Sequence, residues 1–226
     1  MSGQQTVIAI DGPAGAGKST VAKRLAVRLG YHYLDTGAMY RAVTLKALRA
    51  GMDLSCEDAL AGLARATDLD LKGNPQDGVQ VFLDGEDVSA DIRTAEVTNQ
   101  TFHIARAPKV RAVMVELQRR IGSRQNVVIE GRDIGTVVFP RARFKFYLDA
   151  QIEERARRRY QDFADAGQKI TLDQVIADVI ARDEKDFTRD VGPLRKADDA
   201  VVIDSTGMSI DQVVEAMAEH VQENRE

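Results

Sequence analysis

The sequence predicts an α/β fold: a parallel sheet flanked by helices, interrupted by a small antiparallel insert. Three observations carry this reading. Short apolar runs of strand length alternate with segments of helical periodicity, the pattern of a parallel sheet covered on both faces. A glycine-rich turn joins the first such run to the first helical segment, where nucleotide-phosphate loops belong. One stretch, Leu69 to Val88, drops to period two, the pattern of short antiparallel strands.

Taken in order, Val7 to Ile10 predicts a buried strand. Val21 to Leu29, apolar at Val21, Leu25, Ala26 and Leu29, predicts the helix after the glycine-rich turn. Tyr31 to Leu34 is a second strand, ended by Asp35-Thr36-Gly37. A helix is expected through Ala38 to Ala50, stopped by Gly51, and another from about Glu57 to Ala66. Leu69, Leu71, Val79, Val81, Leu83 and Val88 then alternate, with Gly73-Asn74-Pro75 and Asp84-Gly85 as turn residues. Ala90 to Arg106 and Pro108 to Ile121 read as helices. Val127 to Ile129, Phe144 to Leu148 and Ala200 to Ile203 supply three more core strands, and Ile210 to Val221 a last helix. Residues 1–67 and 107–226 are thus expected to form the core, and 68–106 an insert beside the site. That position favours a substrate-holding role over decoration.

Composition narrows the function classes. A chain of 226 residues suits one α/β domain with a small insert. Its 44% hydrophobic and 29% charged residues describe a globular rather than a disordered protein. A net charge of −4 argues against a broad nucleic-acid surface, so clustered basic residues are expected to serve a small anionic ligand. The single cysteine, Cys56, excludes an intramolecular disulfide and suits a reducing cytosol; it reads as a buried small hydrophobe rather than a nucleophile. His32, His103 and His220 make no metal-ligand spacing. Met1 to Gln5 lacks the pattern of a secretory signal, and no apolar run approaches the ~20 residues of a membrane span. The expectation is a soluble cytoplasmic monomer without nucleic-acid or membrane partners.

The chemistry begins at Gly12-Pro13-Ala14-Gly15-Ala16-Gly17-Lys18-Ser19-Thr20, which contains Gly-x-x-x-x-Gly-Lys-Ser. Glycines let the backbone curl until its N–H groups point at phosphate oxygens, and the following helix adds its positive N-terminus. Lys18 is placed for the outer phosphates and the Ser19 hydroxyl for magnesium. Ligands of such sheets sit beyond the carboxyl ends of the strands, where Asp11, Asp35, Glu130, Arg132, Asp133, Asp149 and Asp204 gather.

Two further constellations are basic. Glu153-Glu154-Arg155-Ala156-Arg157-Arg158-Arg159 places Arg155 and Arg158 or Arg159 on one helix face. A solvated face is the ordinary explanation; beside a phosphate loop, arginines that neutralise a transferred phosphoryl group are the better one. Arg182, Asp186 and Arg189 fall at i, i+4 and i+7, on a helix expected to end at Gly192-Pro193. That stripe is either a surface ion-pair ladder or a grip on a sugar and phosphate. No Asn-Lys-x-Asp guanine-reading motif is present, and the chain is too short for typical motor proteins, which leaves a small-molecule kinase.

Four segments in order then meet a known pattern: Ile10 to Thr20, Leu34-Asp35-Thr36-Gly37-Ala38-Met39-Tyr40-Arg41, Gly131-Arg132-Asp133-Ile134-Gly135-Thr136-Val137-Val138-Phe139-Pro140, and Arg182-Asp183-Glu184-Lys185-Asp186. Together they closely resemble the bacterial cytidylate kinases, P-loop nucleoside monophosphate kinases that phosphorylate CMP and dCMP with ATP. The resemblance runs from about Val7 to the last helix, and includes Gly85-Glu86-Asp87-Val88-Ser89 and Ile92-Arg93-Thr94 in the insert. It implies a five-stranded parallel core, a CMP-holding insert and an arginine-bearing lid at about 151–168. By motif, Gly12 to Thr20 match the ATP-phosphate loop, and Arg155, Arg158 and Arg159 the lid. Thr36, Tyr40, Arg41 and Arg132 match the wall around the CMP phosphate and sugar. Arg111 and Asp133 match the base readers, and Arg182, Asp186 and Arg189 the ribose-side grip. Some relatives place a serine where Phe102 stands, with Thr101 beside it; Thr36 replaces a serine and keeps the hydroxyl. The implied co-substrate is ATP with Mg2+. Other readings are a kinase for another monophosphate or a small alcohol, and an ATP-sensing regulatory module.

Overall fold

Five parallel strands alternate their side chains so that both faces of the central sheet are apolar, and helices cover each face. The computed structural model describes residues 5–73, 78–165, 167 and 169–224. In chain order these form β1 (Val7–Asp11), α1 (Lys18–Leu29), β2 (His32–Asp35), α2 (Thr36–Arg49), α3 (Glu57–Arg65), β3 (Leu69–Lys72), β4 (Gln80–Leu83) and β5 (Glu86–Asp87). There follow α4 (Ala95–Arg106), α5 (Pro108–Gly122), β6 (Val127–Gly131), β7 (Phe144–Asp149), α6 (Ile152–Asp165), α7 (Leu172–Thr188), β8 (Val201–Asp204) and α8 (Ile210–Glu223). The central sheet runs β2-β6-β1-β7-β8, all parallel.

Residue alternation decides which layer each strand feeds. Ile8, Ile10, Val128, Phe144, Phe146 and Leu148 pack with α1 and α8 on one face. Ala9, Leu34, Val127 and Ile129 face the other way, into a core shared with α2, α3, α4 and α5. Strand order places β1, with the loop that follows it, between β6 and β7. The carboxyl ends of β1, β2, β6 and β7 therefore converge, which is where the chemistry-bearing residues sit.

The period-two stretch forms an antiparallel sheet, β3-β4-β5. Asp84 and Gly85, both at positive φ (51° and 89°), make the two-residue hairpin between β4 and β5. Leu69, Val81 and Leu83 of this sheet are continuous with the core around α2. Of the predicted Gly73-Asn74-Pro75 turn, Asn74 and Pro75 lie outside the described residues.

Four details depart from the sequence reading. First, α2 starts at Thr36 rather than Ala38, because the Asp35 carboxylate caps it, accepting from the Ala38 N–H at 2.8 Å. Second, the helix expected from Ala90 to Arg106 is a 3-10 turn at Asp91–Arg93 followed by α4, capped by Thr94. Third, Ile134–Val138 forms a π-helical turn that no periodicity announced. Asp11 holds it, accepting from the N–H groups of Ile134 and Gly135 at 2.8 and 2.7 Å. Fourth, α7 ends at Thr188, well before Gly192, so Arg189 does not continue the Arg182–Asp186 helical face. Arg189 instead has an extended backbone (φ −65°, ψ 139°), and its Nε donates to the Gly192 carbonyl.

Candidate active site

The loop after β1 delivers the N-terminus of α1, and Gly17 in the left-handed region makes the turn into the helix. Lys18 is 6% exposed, and its Nζ donates to the Pro13 carbonyl at 2.6 Å. Burial, then the neighbouring Arg132, pull its pKa down to about 7, against Glu130 and Asp186. Ser19 and Thr20, one residue on, are exposed.

Glu130, at the end of β6, is buried and accepts from the Tyr33 hydroxyl at 2.6 Å. Burial and the nearby Asp35 raise its pKa; Lys18, Ser19 and Tyr33 oppose that shift, the last two by hydrogen bonds. Sequence position marked Glu130 as a strand-end carboxylate but gave it no role. Its closeness to Ser19 and Lys18 depends on β6 lying beside β1, which only the sheet order supplies.

Beyond Glu130, the residues that follow β6 build two groups. Arg132 Nε donates to Asp186 on α7 at 2.7 Å. Against burial, this pairing holds the Asp186 carboxyl below its usual range. Arg182, one turn earlier on α7, is pushed down to about 10 by burial and by Arg132, with Arg159 and Arg41 adding to the shift. Four arginines and Lys18 therefore crowd one region.

The second group centres on Asp133. Its carboxylate forms a close ion pair with Arg111, and Arg189 Nη2 stands 3.9 Å from its other oxygen. Arg111 Nη1 donates to the Tyr40 hydroxyl and to the Ala105 carbonyl, both at 3.3 Å. Burial pushes the Asp133 carboxyl up, and Arg111 and Arg189 oppose it. Burial also takes the Tyr40 phenol to about 12, so it stays neutral while accepting from Arg111. Gly192 lies so close over the Arg111–Asp133 pair that any Cβ there would collide with both side chains. Its positive φ of 58° adds a second reason for glycine.

Two side chains bridge the groups to the sheet. Thr36 donates its hydroxyl to the Glu130 carbonyl at 2.7 Å, and Arg41 pairs with Asp35 at 3.2 Å. The Nε groups of Arg41 and Arg111 are buried without an acceptor among the described residues. Buried guanidinium N–H groups are costly to leave unmet, so these mark places where a ligand acceptor fits.

Cys56, expected to be buried, is instead exposed at the start of α3. Arg155 is buried, bonded to the Ala14 carbonyl at 2.9 Å and to Asp183 at 2.6 Å. Arg158 reaches Ser205 and Glu154, and its Nη1 lies 3.5 Å from the Ala16 carbonyl. Arg159 covers the Phe163 ring at 5.1 Å. Thr101 donates to the Val97 carbonyl of its own helix, α4, at 2.7 Å. Phe102 instead lines a cleft of about 500 Å3, with Arg106 and Lys185 over its ring at 5.2 and 5.4 Å. Among the described residues no group of three His, Cys, Asp or Glu could hold a metal ion, and no helix is long and apolar enough to cross a membrane.

Comparison with known proteins gives the same answer from an independent direction. The cytidylate kinase family model matches residues 8–223. The cytidylate kinase of Clostridioides difficile is 48% identical over 215 residues, covering 95% of this chain and 97% of its own. That of Desulforamulus reducens is 50% identical, covering 96% and 97%. Among solved structures, an uncharacterized protein from Eubacterium ventriosum aligns over 96% of this chain and 99% of its own. Its TM-score is 0.50 at 11% identity, a likeness of fold alone. A phosphate loop beside convergent arginines, on a chain matched from end to end by one family, leaves a single conclusion: the chain belongs to the cytidylate kinase family.

Proposed function

We propose that the chain transfers the γ-phosphoryl group of ATP to CMP or dCMP, giving ADP and CDP or dCDP, with the donor on the Gly12–Thr20 loop and the acceptor between Arg41, Arg132 and the Asp133 group. The observation that carries this reading is a cluster of basic side chains around the loop, Lys18, Arg41, Arg132, Arg159 and Arg182, only partly balanced by Asp35, Glu130 and Asp186. So many positive charges crowded together are unfavourable alone, and two nucleotides' facing phosphates supply the matching negative charge.

Lys18 and the loop amides hold the β- and γ-phosphates. Arg41 and Arg132 hold the acceptor phosphate, whose oxygen is the nucleophile. A phosphate monoester with a second pKa of about 6 is already largely ionised near neutrality, so no strong base is required. Catalysis is then positioning and charge neutralisation. Arg158 and Arg159 lend charge from the lid helix α6, whose closure excludes water, while Arg155 of the same helix is turned to the loop backbone and Asp183. Magnesium fits at the Ser19 hydroxyl with the Glu130 carboxylate next to it, and when bound would neutralise charge on the outer phosphates. Residues 68–106 form the wall of the acceptor site. Both sites draw on one chain, which supports action as a monomer, and free nucleotides with a lone cysteine suit the cytoplasm.

Cytosine presents an amine donor and a ring-nitrogen acceptor on one edge. The Asp133 carboxylate accepts and the Arg111 guanidinium donates, the complementary polarity. Tyr40 sets Arg111, Arg182 and Asp186 frame the sugar-phosphate side, and Arg189 flanks Asp133. The test is ADP formation with CMP, dCMP, UMP, AMP and shikimate as acceptors. Turnover confined mainly to CMP and dCMP is expected; preferred use of AMP or shikimate would refute the assignment.

A further inference from the structure

The phosphate loop is held from behind by a buried charged triangle that the chemistry above leaves without a task. Asp183 on α7 is 7% exposed and Arg155 on α6 is 4% exposed. Arg155 Nη1 donates to Asp183 Oδ2 at 2.6 Å and to the Ala14 carbonyl at 2.9 Å, while the Ala14 N–H donates to Asp183 Oδ1 at 3.3 Å. Both polar groups of one loop residue are thus taken by this pair. Arg155 is itself fixed, its Nε donating to the Ala150 carbonyl at 2.9 Å. The backbone of Arg155 also presses on the loop: a Cβ at Gly15 would lie 3.0 Å from the Arg155 carbonyl oxygen.

The same helix that carries Asp183 carries Arg182 and Asp186, the acceptor-side residues on either side of it in sequence. We infer that Asp183, acting through Arg155, is a positioning residue that sets the shape of the donor loop. This rests on the donor and acceptor sites proposed above. Because Asp183 meets the Ala14 N–H, that amide is not among those directed at phosphate; the cradle begins at Gly15. Both charges are buried, so removing one leaves the other unpaired and distorts the loop. Replacing both by amides removes the stranded ion, Asn matching Asp in shape while Gln, shorter than Arg, gives up its reach to the loop.

The test measures ATP binding calorimetrically, and the KM for ATP and for CMP with kcat, in wild type, Asp183→Asn, Arg155→Lys and the double variant Arg155→Gln/Asp183→Asn. Arg155→Lys keeps the ion pair but loses the second donor, and serves if Asp183→Asn does not fold. Either single variant should weaken ATP binding and raise the ATP KM by about 10-fold, the effect of one charged hydrogen bond, with the CMP KM changed less than about 2-fold. The double variant should recover part of the ATP affinity. A folded variant with lowered thermal stability and unaltered ATP binding would reduce the triangle to a structural tie and overturn the inference. Equal increases in both KM values, or no recovery in the double variant, would do the same. If wild type binds no ATP, the donor-site reading itself fails, and that outcome is separate from the others.

Discussion

Lys18 shows how one residue ties geometry to proton chemistry. With Nζ on the Pro13 carbonyl and a pKa drawn down to about 7, the buried ammonium is costly. The folded pKa lies below the unfolded value of 10.5. The linked stability is therefore fully present above about 10.5 and is lost as pH falls toward 7. Triphosphate restores the charge, so ATP binding at pH 8 should take up a proton. Calorimetric enthalpies in two buffers of different ionisation enthalpy measure it; identical enthalpies would show that Lys18 is already charged. Lys18→Ala should lower kcat by about 100-fold or more while thermal stability near pH 7 holds or rises, since a buried charge is removed. Unaltered turnover would remove the loop from the donor site. Lys18 was legible from the spacing of the phosphate loop, and Arg132 and Asp133 from their place at the end of a strand, their roles coming only from the family resemblance. The tasks of Glu130 and Asp183 were not legible, because their partners come from strands and helices brought together only by the fold.

At the scale of elements, periodicity located every core strand to within one or two residues, and failed where one residue controls a distant backbone. The turn at Ile134–Val138 reads as an apolar run, yet Asp11, far away in sequence, decides its shape through two N–H groups. Likewise Arg189 looked helical by count, while the chain leaves α7 before it and uses it to secure Gly192. The insert was legible as strands and turns, but its packing was not: Val81, Leu83, Ile92, Val97 and Ile104 share the main core with α2. Excising it would uncover that core, so point changes test its neighbourhood better. On α6, Arg158→Ala breaks the contacts to Ser205 and Glu154 and withdraws a cation from beside Ala16. The expected outcome is a kcat reduced by about 10-fold or more with the CMP KM nearly constant, because the charge acts while the phosphoryl group moves. Normal kcat would return that arginine run to the role of a solvated helix face.

At the scale of the molecule, strand order is the decisive feature. The sequence shows alternation, but alternation does not say that β6 inserts between β2 and β1 or that β7 flanks β1 on the other side. That order brings Asp35, Glu130, Arg132 and the phosphate loop to one edge, and α7 meets both the loop, through Asp183, and Arg132, through Asp186. Membership of the cytidylate kinase family makes the chain a phosphotransferase; the contact proposed between Asp133 and the base adds a reason for a choice of base. Uracil would set an oxygen against the Asp133 carboxylate and leave buried polar groups unpaired, a mismatch that hydrogen-bonding sites punish by several orders of magnitude. The most direct measurement is kcat/KM for CMP and UMP in wild type and in Asp133→Asn. Wild type should favour CMP by ~10,000-fold or more. Asp133→Asn should lower CMP use and narrow that ratio, because an amide can turn its donor toward the uracil oxygen. A variant that loses CMP and UMP activity by one common factor would mean that Asp133 only anchors Arg111 and Arg189, and would contradict base reading at this site.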